Sequence, residues 1–502
     1  MTINSTLYHQ RTSYQRNRIP GHFLDWENRP SVYKTYSQRE SIPLRTDIPF
    51  PKERLSSLLS DQTPKKRLPL LGMDDLSRLF LLAYSFTGRA QYGGEVFYYR
   101  SVASAGALYP NELYMAAHGV DGLDRGLYHY SIGQNALFPI RREDLLAPIV
   151  EATLPTTEHT PLATFFVSAI FFRSAWKYRE RAYRYHLLDT GHLIENLTLA
   201  LKALRLPWTL SYDFDDHRAN QILGLDEAKE VCMAVCHLLG AEPLAQPKEK
   251  EVAALPEPFR RESRVSAKEI DYPLIREMHQ AGNGLERSSR QEPDARSELG
   301  VAPNAWLGIK PLGSWPEIVS YADAVLRRRS KRNFVKKPLP ADALSALLES
   351  FCTLDSDSGQ KVQADFKSIC IGFLAGCVEG IEPGFYLLDS SSRRFGMVRA
   401  GSYTEEMARV CLDQAWLGHA AVHFLFMTNL QTLDRCWGAR GYRYAMMTAG
   451  RMGERLYLSA TAMGFGCCGI GALYDEEAAQ LLGLQGASRL LYLVAVGAVK
   501  AL

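Results

Sequence analysis

Lys177 and Tyr178 stand side by side in "WKYRERAYRYHLLDTGH", which begins at Trp176. A lysine stripped of water gives up its proton more readily, and a neutral amine can then act as a base. A surface lysine next to a packing tyrosine would give the same two letters. A second patch, "RRRSKRNF" from Arg327, packs four arginines, one lysine and Ser330 into six residues. Guanidinium forks and a hydroxyl suit phosphate oxygens, although a solvated basic helix end carries the same charge. A third, "GFGCCGIGAL" from Gly464, has four glycines within eight positions. Backbone without β-carbons can pass close to a flat or anionic ligand, and it also makes ordinary turns. A fourth, "SVASAGALYPNELY" from Ser101, sets the small residues Ser104, Ala105, Gly106 and Ala107 before Tyr-Pro.

These patches need elements to hold them, and the chain writes its main element twice. Tyr183 falls on Tyr442, 259 positions later. At that spacing Arg184 meets Arg443, Tyr185 meets Tyr444, Gly191 meets Gly450 and Glu195 meets Glu454. Further on, Asp216 meets Asp475 and "LGL" at Leu223 meets "LGL" at Leu482. Leu187, Gly191, Ile194, Leu197, Leu201 and Leu204 recur at helical spacing, so a long core helix, a loop and a shorter helix repeat in register. "DDLSRLFLLAYSFTG" and "ADALSALLESF" also read as helices. "ELYMAAHG", "GLYHYSI", "TFFVSAIFF" and "CMAVCHLLG" read as strands, matched later by "SICIGFLAG", "GFYLLDS", "AVHFLFMTN" and "LLYLVAVGAV". The expected class is α+β: two domains, each a mainly antiparallel sheet flanked by helices, arranged as an intramolecular pseudo-dimer. Charge, Ser, Pro and Gly concentrate between the copies. The expected division is domain one over 1–245, a polar linker over 246–312, and domain two over 313–502.

Composition narrows the functional classes. The 502 residues are 46% hydrophobic and 23% charged, with a net charge of +3 spread along the chain. No basic face or binding motif calls for nucleic acid. The apolar run "LATFFVSAIFF" is about half of the ~20 residues a membrane helix needs and suits a buried strand. The first residues lack a signal-peptide core, and nine cysteines occur without a C-x-x-C pair. The expectation is a cytoplasmic protein with reduced thiols, no metal and no membrane or nucleic-acid partner.

Taken together, "SAGALYPNELY" followed by "WKYRERAYRYHLLDTGH" resembles the SagB-type dehydrogenases of the FMN-dependent nitroreductase superfamily. "RRSKRNF" with a distant "GFGCCGIGAL" is similar to the opening and closing signature of a nitroreductase domain. The resemblance implies FMN held at the interface of two such domains. It implies that Arg328, Ser330 and Arg332 hold ribityl and phosphate oxygens, helped by Lys500. It carries Gly469, Ile470, Gly471 and Ala472 past the flavin ring. Arg100, Ser101, Ser104, Ala105 and Gly106 would reach across from domain one. Lys177 and Tyr178 would cover this site as the catalytic pair, Lys177 taking a proton from a substrate ring carbon.

The mirror-image site is expected to be vestigial. At the repeat spacing Gly464, Gly466, Gly469 and Gly471 face Arg205, Pro207, Leu210 and Tyr212. "RPSVYKTY", with Arg29, Ser31 and Lys34, is a partial counterpart of the basic patch. Cys436 and Trp437 replace Lys177 and Tyr178. The sharpest functional expectation is FMN-dependent dehydrogenation of azoline-like rings in a modified peptide or small molecule. The alternatives are an NAD(P)H-fed reductase of nitroaromatics, quinones or enones, and a flavin-binding protein whose catalysis has decayed.

Overall fold

A computed structural model describes residues 3–500 apart from 19–20, 22, 37–39, 61–70, 154–158, 245–251, 254, 256–258, 260, 284–297 and 353–366. The strands of domain one are β1 (Ile42–Pro43), β2 (Phe86–Tyr92), β3 (Glu95–Arg100), β4 (Asn111–Ala117), β5 (Gly126–Ser131), β6 (Ala136–Arg141), β7 (His159–Ile170), β8 (Trp208–Ser211) and β9 (Glu230–Pro243). Those of domain two are β10 (Leu307–Gly308), β11 (Cys370–Ala375), β12 (Gly384–Asp389), β13 (Arg394–Ala400), β14 (Val422–Asn429), β15 (Gly466–Ile470) and β16 (Ser488–Gly497). The first sheet runs β1-β6-β5-β4-β7-β9-β8 and the second β10-β13-β12-β11-β14-β16-β15. Pairing in both is antiparallel and the order is the same, so the fold is α+β with two units of one topology. β2 and β3 form a separate hairpin with no counterpart among the described residues of domain two.

Strand pairing refines the repeat. Ser168 pairs with Cys232 in domain one, while Met427 pairs with Leu490 in domain two. The spacing is therefore 259 at Ser168 and 258 at Cys232, because domain one carries one more residue before its last long strand. Half of "GFGCCGIGAL" is the edge strand β15, and "RLPWTLSYD" supplies its counterpart β8. The stretch "SAIFF" does not stay extended: β7 ends at Ile170 and a helix, Phe171–Tyr178, begins at once.

The two long helices, Ala182–Ala203 and Arg440–Ala462, carry the contact between domains. They cross where a β-carbon on Gly191 would lie 2.1 Å from the Met447 carbonyl oxygen, and one on Gly450 would lie 2.2 Å from that of Leu188. Only hydrogen fits at both positions, which is why the glycine occurs in both copies. Around the crossing the ion pairs are reciprocal. Arg181 and Arg184 bind Asp475 at 2.7 and 2.6 Å, and Arg440 and Arg443 bind Asp216 at 2.5 Å each. Two short helices complete the pattern, Ser5–Arg11 and Pro273–Ala281. His9 meets Asp475 and Tyr442; His279 meets Asp216 and Tyr183. Part of the stretch from 246 to 312 is thus packed helix, and the N-terminal segment is its partner in the repeat.

Candidate active site

An open cleft of about 770 Å3, counting its mouth, lies between the two domains. Domain one supplies Ser104, Ala105, Gly106, Tyr178, Tyr185 and Asp189; domain two supplies Ser330, Arg332, Tyr457 and Gly469 to Ala472. Residues separated by more than 300 positions are therefore brought to one space.

The loop after β3 is bent to reach it. Gly106, Ala107 and Tyr109 hold φ values of +64°, +55° and +46°. Two of these are not glycine, so the conformation needs external support. Asp189 provides it, accepting from Ser104 Oγ at 2.6 Å and from the Ala105 amide at 3.2 Å. Ser104 Oγ in turn accepts from the Tyr109 amide at 2.9 Å, and Arg173 Nη1 donates to the Tyr109 carbonyl at 3.1 Å. Burial pushes the Asp189 carboxyl up to about 7, against the Ser104 hydrogen bond. Sequence reading passed over Asp189; its signal was an acid one turn after Tyr185 on a helix that is otherwise core.

The helix Phe171–Tyr178 brings Tyr178 to the cleft wall and Lys177 beside Gly106, although Lys177 is not itself a lining residue. A β-carbon on Gly106 would stand 2.6 Å from the Tyr178 hydroxyl and 3.3 Å from Lys177 Nζ. Lys177 is half-buried, and desolvation, then the charge of Arg332, pull its pKa below the ordinary lysine value. Burial raises that of Tyr178. An amine with a depressed pKa beside a protonated phenol is a competent acid–base pair.

Domain two lines the opposite wall. Ser330 and Arg332 are exposed to the cleft, and Ser330 Oγ lies 2.8 Å from the Tyr457 hydroxyl. The Gly469 amide donates to that same hydroxyl at 2.7 Å. Gly471 leaves room for Tyr185, whose ring its β-carbon would approach to 2.7 Å.

Four expected site residues lie elsewhere. Arg328 is buried, with Nε donating to the Ser101 carbonyl and Nη2 to that of Arg100, both at 2.8 Å. It fastens domain two to the cleft loop, and none of these bonds is left for a phosphate. Arg329 repeats the contact at Thr87. Arg100 is buried beside Tyr84 and Tyr109 and binds the Val32 carbonyl; Ser101 bonds to Ala83 and Ser85. Lys500 is exposed, its main chain paired with Asn333, and does not line the cleft. The resemblance had assigned these four to the cofactor; along the basic run Arg328 faces backbone carbonyls of domain one, and Ser330 and Arg332 face the cleft.

The mirror position is filled. Tyr212, in place of Gly471, is buried and stacks on Tyr444 with ring centres 6.3 Å apart. Trp437 closes on Tyr444 from another side at 5.9 Å, and the Tyr444 hydroxyl bonds to Asp213. The expected partial match at Arg29 to Lys34 is not the structural counterpart of the basic patch. Lys34 is buried in an ion pair with Glu230 at 2.5 Å. Leu71 and Leu339 occupy equivalent places, each carbonyl accepting from the residue after a matching turn, Asp121 and Glu379. The counterpart of Ser330 and Arg332 then falls within 61–70, outside the described residues.

The Nitroreductase family model matches residues 38–238 and 387–498. The chain belongs to the nitroreductase family. The crystal structure of a nitroreductase from Anabaena variabilis superposes with a TM-score of 0.77 at 26% identity, covering 99% of this chain and 100% of that one. A nitroreductase of Methanocaldococcus jannaschii is 27% identical over 169 residues, 33% of this chain and 85% of its own length. The trifolitoxin-processing protein TfxB of Rhizobium leguminosarum is 27% identical over 214 residues, 41% of this chain. The match spans 57% of TfxB. Membership in the nitroreductase family makes the protein an oxidoreductase by class. Among the described residues no helix is long and apolar enough to cross a membrane, and no His, Cys, Asp and Glu cluster could hold a metal ion.

The cleft suits FMN by its donor set. Arg332 and the Ser330 hydroxyl can meet anionic and ribityl oxygens, and the Gly469–Ala472 backbone lines a space that a tyrosine fills in the mirror half.

Proposed function

We propose that this nitroreductase-family chain is an FMN-dependent dehydrogenase of the SagB type, acting on an azoline-like ring of a modified peptide or small molecule, with one FMN per chain. The observation that carries the reading is the meeting of Lys177 and Tyr178 with Gly106 beside the only half of the repeat whose glycines are kept. A reductase fed by NAD(P)H has no need of that pair. The likeness to a protein named for trifolitoxin processing supports a peptide-derived substrate.

Ser330, Arg332 and the main chain of Gly469 to Ala472 would hold FMN, with Ser104 to Gly106 closing from domain one. Bound FMN supplies the hydride acceptor. Lys177, its pKa lowered by desolvation and next by Arg332, takes the proton from the substrate ring carbon in its unprotonated form. Tyr178 orients the substrate through its hydroxyl, and Asp189 keeps the Ser104–Ala105 turn in place.

The test is the flavin-to-chain ratio of the purified protein, followed by anaerobic mixing with an azoline peptide or with NADH. The expected results are one FMN per chain, bleaching by the azoline, and loss of that bleaching in Lys177→Ala. Two FMN per chain would overturn the split-site reading. Rapid bleaching by NADH alone would replace the dehydrogenase with the reductase.

A further inference from the structure

Behind the glycine wall of the cleft lies a hydrogen-bonded row that the Lys177–Tyr178 chemistry does not use. Glu454 Oε2 is 2.5 Å from His192 Nδ1, and His192 Nε2 is 3.1 Å from the Tyr492 hydroxyl. All three side chains are buried, and Glu454 Oε1 has no partner among the described residues. Both His192 and Tyr492 border the cleft.

Two glycines make room for this row. A β-carbon on Gly469 would come within 1.8 Å of the Tyr492 hydroxyl. One on Gly453 would lie 2.7 Å from the Tyr492 ring and 3.2 Å from His192 Nε2. The mirror half has no such row. There Glu195, the counterpart of Glu454, is bound by Arg451 Nε at 2.8 Å and by Arg455. Arg451 stands where the repeat places His192, and Arg455 where it places Asn196. Ala234 stands in the place of Tyr492, at the 258 spacing of the last strand. One half keeps a carboxylate locked by two permanent cations; the half with the cleft has a histidine that can change charge.

We infer that Glu454, His192 and Tyr492 form a second proton-handling unit of the cleft, in which Tyr492 is the terminal group and Glu454 and His192 are positioning residues. The Glu454 carboxylate holds the proton on Nδ1. With a neutral ring, Nε2 accepts from the Tyr492 hydroxyl, which offers a lone pair to the cleft. With a charged ring, Nε2 donates to Tyr492, whose own proton then points into the cleft. Passing that proton to a basic atom in the cleft moves the Nε2 proton onto Tyr492 and returns the ring to neutral. One proton is delivered, and no bond other than these is changed.

The titratable groups around the ring are Glu454 and Tyr457 on the long helix of domain two, Tyr492 on β16 and Asp189 one turn earlier on its own helix. Cys467 and Cys468 face Tyr492 from β15.

The inference rests on the cleft being the catalytic site, so its first test needs neither cofactor nor turnover. Nitrogen-15 NMR of histidine-labelled full-length protein should show His192 as the Nδ1–H tautomer when neutral. Tyr492→Phe should move its Nε2 signal, and Glu454→Gln should move its Nδ1 signal. A ring that ignores both substitutions would overturn the unit. In the FMN-loaded enzyme, Tyr492→Phe should lower kcat by about 100-fold, the low end of general acid–base effects, and remove one ionisation from the pH profile. Flavin content and KM should stay as in the wild type. An unchanged pH profile would also overturn it. If the protein binds no flavin, the proposed function fails and the NMR result decides this inference alone. Tyr492→Phe removes one hydroxyl and carries both tests where His192→Gln does not fold.

Discussion

The Tyr178 hydroxyl occupies the place a β-carbon of Gly106 would need, 2.6 Å from it, and Gly106 holds φ at +64°. The glycine therefore answers two demands, a left-handed backbone and contact with the proposed acid–base pair. Gly106→Ala should cost about 1 kcal/mol of stability from backbone strain. Its larger effect should be on catalysis, because the methyl group displaces Tyr178 and crowds Lys177. Turnover should fall by at least about tenfold. Thermal unfolding and turnover measured on the same sample check both halves of the claim.

Lys177 sets the expected pH behaviour. Its pKa is lowered by desolvation and, next, by Arg332. A base is active when neutral, so kcat/KM should rise with pH through that lowered pKa. Lys177→Ala should remove the rising limb and about 10²–10⁴ of the rate. Arg332→Gln takes away a positive neighbour, so the ammonium becomes easier to keep and the limb should move to higher pH. A limb that moves to lower pH, or stays, would rule out Lys177 as the group observed.

Gly471 and Tyr212 hold the same place in the two halves, and only the first borders open space. Gly471→Tyr should copy the filled state: the ring would meet Tyr185 as Tyr212 meets Tyr444. The expected result is a folded chain without bound FMN, measured by absorbance after gel filtration. Tyr212→Gly should not add a second FMN, since Leu210 and Trp437 remain in the mirror half.

Much of this arrangement is legible in the chain because it is written twice. Arg184, Gly191, Glu195 and Asp216 each reappear in the second copy, and each sits at the interface, where both copies meet the same geometry. The Lys177–Tyr178 pair and the lost glycines are legible for the opposite reason, as breaks in the repetition. Single-copy contacts are less visible. Asp189 acts on a loop 84 residues earlier, and nothing local to it announces a bond to Ala105. Arg328 and Arg332 share charge and differ by four positions, yet one faces backbone carbonyls and the other the cleft. His9 takes its meaning from Asp475, more than 400 positions away.

The reciprocal ion pairs give the last prediction. Asp216 and Asp475 are buried; burial alone would raise their pKa values, but the paired arginines overcome it. Asp216 is held down to about 2 by Arg443 and Arg440, and Asp475 well below the usual carboxylate range by Arg181 and Arg184. A depressed carboxylate contributes stability that is present above its unfolded pKa of roughly 3.9 and is lost as pH falls through the folded value. Acid should therefore weaken the domain contact progressively below about pH 4. Asp475→Asn leaves two guanidiniums buried without their counter-charge and should cost about 3–5 kcal/mol. Asp216→Asn should cost a similar amount, since Arg440 and Arg443 are placed alike. The discriminating measurement is urea unfolding of both variants at pH 7 and pH 3. The gap between each variant and the wild type should shrink at pH 3, where part of the carboxylate contribution has already gone. A gap independent of pH would mean that the aspartates act by shape, and that the charges at the crossing do not hold the two domains together.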